Sequence, residues 1–161
     1  MPADATFRHP TADDGAGVYE LVRDGGGLDL NTPYAYLLMT RMFANSCVVA
    51  EVDGELAGTV VGLRPPEEPS SLFVWQIGVH PAHRGIGLGT RMLRRLADAG
   101  RPVHLTATVT PTNTASDRLF RGFARHLEVP CEVTPWASEE DFPGEGHERE
   151  DLYRIGPLRT S

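Results

Sequence analysis

Apolar positions along this chain recur with two periods, near two and near 3.6, and the switches between them mark out its elements. Thr6–His9 reads as a short strand. Val18, Leu21 and Val22 fall on one face of a helix that Asp13 or Asp14 can cap and that Gly25–Gly27 ends. A second, partly buried helix carries Tyr36, Leu37, Met39 and Phe43. Asn31 or Thr32 suits its N-cap, with Pro33 at the first helical position, where a missing N–H is harmless. Ser46–Val52 and Leu56–Leu63 are strand-sized apolar runs on either side of Asp53-Gly54, a strong hairpin signal. Pro65–Pro69 is a loop. Leu72–Val79 is a buried strand with Phe73, Trp75, Ile77 and Val79 on one face.

The second half continues the alternation. Ile86, Leu88, Met92, Leu93, Leu96 and Ala97 recur at helical spacing until Gly100 and Pro102 stop them. In His104–Thr110, Leu105, Ala107 and Val109 alternate with Thr106, Thr108 and Thr110, which predicts a strand. Asn113 or Thr114 can cap a further helix holding Leu119, Phe120 and Phe123. Cys131–Val133 and Leu152–Ile155 have strand character, with acidic residues between them. Strands and helices in this order predict an α/β chain, one domain over residues 1–161.

Charge and composition narrow the chemistry. A net charge of −7 disfavours a nucleic-acid partner. All 15 basic residues are Arg, and with no Lys the chain has neither a Schiff-base amine nor the lysine of a Walker A loop. MPADATFRHP lacks the apolar stretch of a secretory leader, and the apolar runs are too short for a bilayer, so a cytoplasmic protein without a membrane partner is expected. Cys47 and Cys131 have no metal-ligand spacing, and the six histidines form no HxH or HExxH set, so no metal is expected.

One stretch stands apart: HPAHRGIGLGTRML, His80–Leu93. A strand, then Arg-Gly-Ile-Gly-Leu-Gly, then a helix sets free backbone N–H groups at a positive helix end, a site for phosphate oxygens. The alternating glycines do not match the Rossmann fingerprint. They do match Arg/Gln-x-x-Gly-x-Gly/Ala at Arg84, Gly87 and Gly89, which resembles the pyrophosphate loop of the GCN5-related N-acetyltransferases. The lead-in Ile-Gly-Val-His-Pro and the later Asn113…Ser116…Leu119-Phe120 also resemble that family.

The resemblance implies an α/β fold whose central sheet is mixed but mostly antiparallel, flanked by helices and splayed between its two central strands. It implies acetyl-CoA as cosubstrate. The residues it assigns to the cofactor are Ile77, Gly78, Val79, Arg84, Gly85, Ile86, Gly87, Leu88, Gly89 and Thr90, with Asn113, Ser116 and Phe120.

Four separated segments, LDLNTPYAYLL, LFVWQIGVHP, TATVTPTN and HEREDLYRIGP, are similar to one branch of that family, the L-2,4-diaminobutyrate acetyltransferases of ectoine biosynthesis. This likeness implies acetylation of the side-chain (N4) amine of L-2,4-diaminobutyrate during compatible-solute synthesis under osmotic stress, by a cytoplasmic homodimer. Such a substrate brings two ammonium groups and a carboxylate, so acids are expected against the amines. Asp29, Trp75 and Asp151 are the expected catalytic residues. Tyr34, Thr110, Asn113, Ser116, Glu150 and Tyr153 join them around the substrate, with Asp151 favoured over Glu150.

Plainer roles stand beside these: an Asx turn for Asp29, core packing for Trp75, a helix cap for Asn113 and a solvated face for the tail acids. The sequence departs from the wider family at Phe120, where many members carry a Tyr that protonates the leaving thiolate. That role does not transfer. Acetylation of another small amine (ornithine, lysine, a polyamine or an antibiotic) and a non-catalytic CoA sensor are the alternatives, the second supported only by Phe120.

Overall fold

The computed structural model describes residues 4–159. The strands are β1 (Ala5–Arg8), β2 (Val48–Val52), β3 (Glu55–Leu63), β4 (Ser71–Val79), β5 (His104–Val109), β6 (Cys131–Ala137) and β7 (Glu150–Ile155). The helices are α1 (Gly15–Gly25), α2 (Pro33–Met42), α3 (Leu88–Gly100) and α4 (Thr114–His126). Strand order in the seven-stranded sheet is β1-β2-β3-β4-β5-β7-β6. The β1–β2, β2–β3, β5–β7 and β6–β7 pairs are antiparallel, whereas β4 and β5 run parallel. Their ladder runs from Ser71↔His104 to Val74↔Ala107, while β4 continues to Val79. The β4–β5 ladder thus involves Ser71–Val74 of β4.

Contacts divide the chain into two compact units: residues up to Arg64 with Trp75–Arg101, and Pro65–Val74 with residues from Pro102 on. In the first unit, α1 and α2 lie against Val49 and Val61, forming a core with Val18, Val22, Tyr36, Met39 and Cys47. A second cluster joins Leu88 of α3 to Val52 and Ala57, with Phe7, Val79 and Ile86 at its edge. Residues 57–62 of β3 are buried without interruption, the pattern of a strand covered on both faces. Met92, Leu93 and Leu96 of α3 are fully buried, worth roughly 2 kcal/mol each.

Local chemistry explains the boundaries. Thr32 caps α2 by accepting from the Ala35 N–H, and Pro33 opens the helix. Asp53 and Gly54 take positive φ values of 52° and 79°, as a two-residue hairpin turn between β2 and β3 demands. The α3 helix runs through Gly100, and Arg101 takes the left-handed cap at φ 49°. Gly58 lets α3 come close: a Cβ there would lie 2.8 Å from Met92 Cε and 3.3 Å from the Gly78 carbonyl oxygen.

Phe73, Trp75, Ile77 and Val79 share one face of β4, as alternation predicts, and the opposite face is the more deeply buried. Leu72, Val74 and Gln76 form its buried face, and Phe73, Trp75, Ile77 and Val79 are only half-buried. Both faces of LFVWQIGV are apolar, so alternation alone cannot say which one turns inward.

In the second unit, Leu105, Ala107 and Val109 of β5 are buried, as are Phe120, Phe123 and Ala124 of α4 and Tyr153 and Ile155 of β7. Both tail strands begin before or extend beyond their predicted spans. β6 is the edge strand, and a bulge between Pro135 and Ala137 sets Trp136 outside the register.

Candidate functional site

The glycine loop follows β4 directly. His80 ends the strand and accepts from the Ala82 N–H at 3.1 Å, and Pro81–His83 form a single tight turn. The Arg84 guanidinium then donates from Nε to the Val79 carbonyl at 3.2 Å and from NH2 to the Gly25 carbonyl at 2.6 Å. It ties the loop to the last residues of β4 and α1. Gly85 and Gly87 have φ values of 84° and 78°. A side chain at either is strained, and the space where a Cβ would sit is open.

Gly87 is the N-cap of α3, no side chain caps this end, and no acid lies in the first turn. Leu88, Gly89 and Thr90 therefore direct main-chain amides along the helix axis at its positive end. The open backbone, amide donors and lack of negative charge fit a pyrophosphate approaching from outside.

Asp29, Tyr34 and Trp75 belong to the same unit. Trp75 is half-buried, and its ring stacks on Tyr36 with centroids 6.1 Å apart and planes at 24°. Tyr19 meets the other aromatic edge at 5.9 Å. The Tyr36 hydroxyl is buried; it donates to Gln76 Oε1 at 2.9 Å and accepts from the Asn31 N–H at 3.2 Å. Gln76 Nε2 in turn donates to the Asp29 carbonyl at 2.6 Å. Asp29 itself is exposed. Tyr34, expected to wall the substrate, is 71% exposed, because it lies in the first turn of α2 on the side away from the core. Tyr36 and Gln76 were not among the expected site residues. The available signal was Gln76, the one amide in an otherwise apolar strand, since a buried amide needs partners.

In the second unit, Asn113 caps α4 by accepting from the Ser116 N–H at 3.1 Å, so its plainer role is realised. The Asn113 N–H bonds to the Thr110 carbonyl at 3.1 Å. Next to it, the Glu148 carboxylate accepts from the Thr112 N–H at 3.3 Å and from its hydroxyl at 2.5 Å, pinning the turn between β5 and α4. Phe120 is buried, edge-on to Tyr153 with centroids 6.3 Å apart. The Tyr153 phenol donates to Asp117 at 2.6 Å. Arg121 donates to the same carboxylate at 2.7 Å and lies 5.5 Å from the Tyr153 ring centroid.

Burial first, and then the Asp117 carboxylate, push the Tyr153 phenol up to about 12. The Tyr153 and Arg121 hydrogen bonds hold Asp117 below the usual carboxylate range. Tyr153 therefore keeps its proton more firmly than an ordinary phenol and donates it in a hydrogen bond to Asp117. Glu150 and Asp151 sit on β7 opposite Ala137 and Pro135 of β6, with Asp151 3.4 Å from Arg149 Nε. Asp117 and Glu148 were missed because nothing in their local pattern distinguishes them from solvated acids.

The strand–glycine loop–helix unit and the mixed sheet define an acyl-CoA-using transferase. Residues 17–123 match the Acetyltransferase (GNAT) family, and the chain belongs to that family. It is 44% identical to the L-2,4-diaminobutyric acid acetyltransferase of Virgibacillus pantothenticus, over 94% of this chain and 98% of that one. It is also 44% identical to the protein of the same name from Halalkalibacterium halodurans, over 95% of this chain and 82% of the other. Among solved structures it resembles diaminobutyrate acetyltransferase EctA from Paenibacillus lautus, in complex with its substrate L-2,4-diaminobutyric acid and coenzyme A. The TM-score is 0.92 at 40% identity, covering 99% and 98% of the two chains.

Proposed function

We propose that this chain transfers the acetyl group of acetyl-CoA to the N4 amine of L-2,4-diaminobutyrate, giving N4-acetyl-L-2,4-diaminobutyrate and CoA. The observation that carries this reading is the likeness, over 99% of the chain, to an enzyme solved with that diamine and with CoA. The amides of Leu88, Gly89 and Thr90 hold the pyrophosphate, with Gly85 and Gly87 keeping its approach open. The half of β4 after Val74 offers main-chain groups at Ile77, Gly78 and Val79 to the pantetheine arm. When bound, acetyl-CoA supplies a thioester carbonyl for attack: the new N–C bond forms, the C–S bond breaks, and the nitrogen gives up a proton.

The energetic difficulty is the amine. With a reference pKa of about 10.4, its neutral form at pH 7 is about 3.4 units short, or about 4.6 kcal/mol. Trp75, backed by buried Tyr36, presents an aromatic face: its attraction for an ammonium group favours binding, while the water it excludes disfavours the charged form and eases deprotonation. Asp29 supplies negative charge for an ammonium and, through water, a destination for the proton. Phe120 has no proton to give, and none is essential, since a thiol with a reference pKa of about 8.5 departs tolerably as thiolate. The reading extends to a cytoplasmic homodimer serving ectoine biosynthesis.

The test is CoA-thiol release by purified protein with 2,4-diaminobutyrate, 2,3-diaminopropionate, ornithine, lysine and spermidine, followed by identification of the acetylated nitrogen. Turnover confined to diaminobutyrate with the side-chain amine modified is expected, and kcat/KM should rise from pH 7 toward pH 9. Preference for another amine overturns the substrate, and CoA binding without turnover on any amine overturns the enzyme.

A further inference from the structure

A buried polar relay joins β4 to the segment that carries Asp29. The Asn31 N–H donates to the Tyr36 hydroxyl, which donates to Gln76 Oε1, while Gln76 Nε2 donates to the Asp29 carbonyl. Main-chain groups on both sides of Leu30 are therefore bound to side chains, one a fully buried tyrosine and the other a nearly buried glutamine. Gly26 and Gly27 just upstream both have positive φ, with open space at their Cβ positions. The segment between the end of α1 and the Thr32 cap is thus fastened in its middle by the relay. The Tyr36 ring also stacks on Trp75, the residue beside Gln76 on β4.

Such an arrangement is costly to leave unsatisfied: a buried amide or hydroxyl without its partner loses its hydration with nothing in return. The lowest-energy position of the Asp29–Asn31 backbone is therefore the one that completes the relay, and the exposed Asp29 side chain is carried along. A carboxylate held in this way need not be ordered when a substrate arrives, which is how positioning improves affinity.

We propose that Tyr36 and Gln76 are positioning residues for diaminobutyrate, acting through Asp29, with Tyr36 also setting the plane of Trp75. This rests on the diamine reading above. The relay's hydrogen bonds end on the Asp29 and Asn31 main chain and not on the glycine loop, so it serves the acceptor amine and not the CoA.

The test compares wild type, Tyr36→Phe, Gln76→Leu and Tyr36→Phe/Gln76→Leu, each alone and combined with Asp29→Ala, in steady-state kinetics with both substrates varied. Tyr36→Phe keeps the ring against Trp75 and removes only the hydroxyl. The double variant removes the buried polar groups together and leaves only loop main-chain groups, which can turn to water, so it retains the fold if either single variant does not. Thermal unfolding identifies the folded variants.

In these, KM for diaminobutyrate should rise on the order of tenfold, with kcat within about twofold and KM for acetyl-CoA unchanged. On the Asp29→Ala background the relay substitutions should add less than about twofold, because coupled residues are non-additive. Folded relay variants with wild-type KM for diaminobutyrate overturn the proposal, as does a full effect that persists without Asp29. A shift in both substrates' KM together overturns it in favour of general loosening. Wild-type protein inactive on diaminobutyrate overturns the functional reading instead, a result that the wild-type rate alone reveals.

Discussion

Arg84 was expected at the pyrophosphate because of its place in the loop motif, yet in the structure its donors point at main-chain carbonyls. The bond to the Gly25 oxygen is short at 2.6 Å, and that to the Val79 oxygen is longer at 3.2 Å. Hydrogen bonds from a charged donor contribute about 1.5–3 kcal/mol each when shielded. Arg84 is exposed, so about 2 kcal/mol for the two together is a fair sum. In Arg84→Ala that energy no longer favours the loop conformation able to bind, and apparent affinity falls with the competent fraction. At 1.4 kcal/mol per decade, KM for acetyl-CoA should rise by up to roughly 25-fold, with KM for diaminobutyrate nearly unchanged.

Arg84→Lys separates the two roles. A lysine keeps the charge for a phosphate but cannot span two carbonyls as a planar fork does. Both variants should therefore show similar defects, and the ratio of each to wild type should persist from about 0.05 to 0.5 M salt, although phosphate attraction is screened over that range. A lysine variant with wild-type KM, or a defect that fades as salt rises, would show that charge and not the carbonyl fork matters, refuting this reasoning.

Two further outcomes follow from groups outside the site. Arg8 holds the Asp14 carboxylate with bonds of 2.6 and 3.0 Å, and the Thr11 N–H adds another at 2.6 Å, so the Asp14 pKa is depressed, chiefly by Arg8. Asp14→Ala should cost about 2 kcal/mol at pH 7 in urea unfolding. Because a depressed carboxylate stabilises above its unfolded pKa of about 3.9 and stops doing so as pH falls through its folded value, the gap from wild type should close in acid; an equal gap at pH 2.5 refutes the assignment. Burial pushes the Cys47 thiol up to about 11, whereas Cys131 is half-buried on the edge strand. A thiol reagent at pH 8 should label Cys131 first and Cys47 only on unfolding, as peptide mapping would reveal.

Most elements were legible because their causes are local. The Asp53-Gly54 turn, the Thr32–Pro33 start of α2, the Asn113 cap and the apolar stripe of α3 each depend on residues within a few positions of one another. The glycine loop belongs with them, since its left-handed residues and uncapped helix end are properties of seven or so consecutive residues. The tail was less legible: Pro135 and Trp136 interrupt the alternation of β6, and only pairing with β7 makes that stretch a strand.

By itself, then, the sequence determined the order of elements, the presence of a glycine turn leading into a helix after β4 and, through four separated segments, the branch of the family. These follow from periodicity, turn chemistry and side-chain identity. Tertiary structure alone decided which face of β4 is buried, that Arg84 grips Gly25 from 59 residues away, that Tyr36 and Gln76 meet across 40, and that the Tyr153 hydroxyl donates a hydrogen bond to Asp117 across 36. Each of these bonds needs partners that adjacent residues do not select. A buried donor takes the acceptor that packing brings within reach, and packing is settled only when the whole apolar pattern has found its layers.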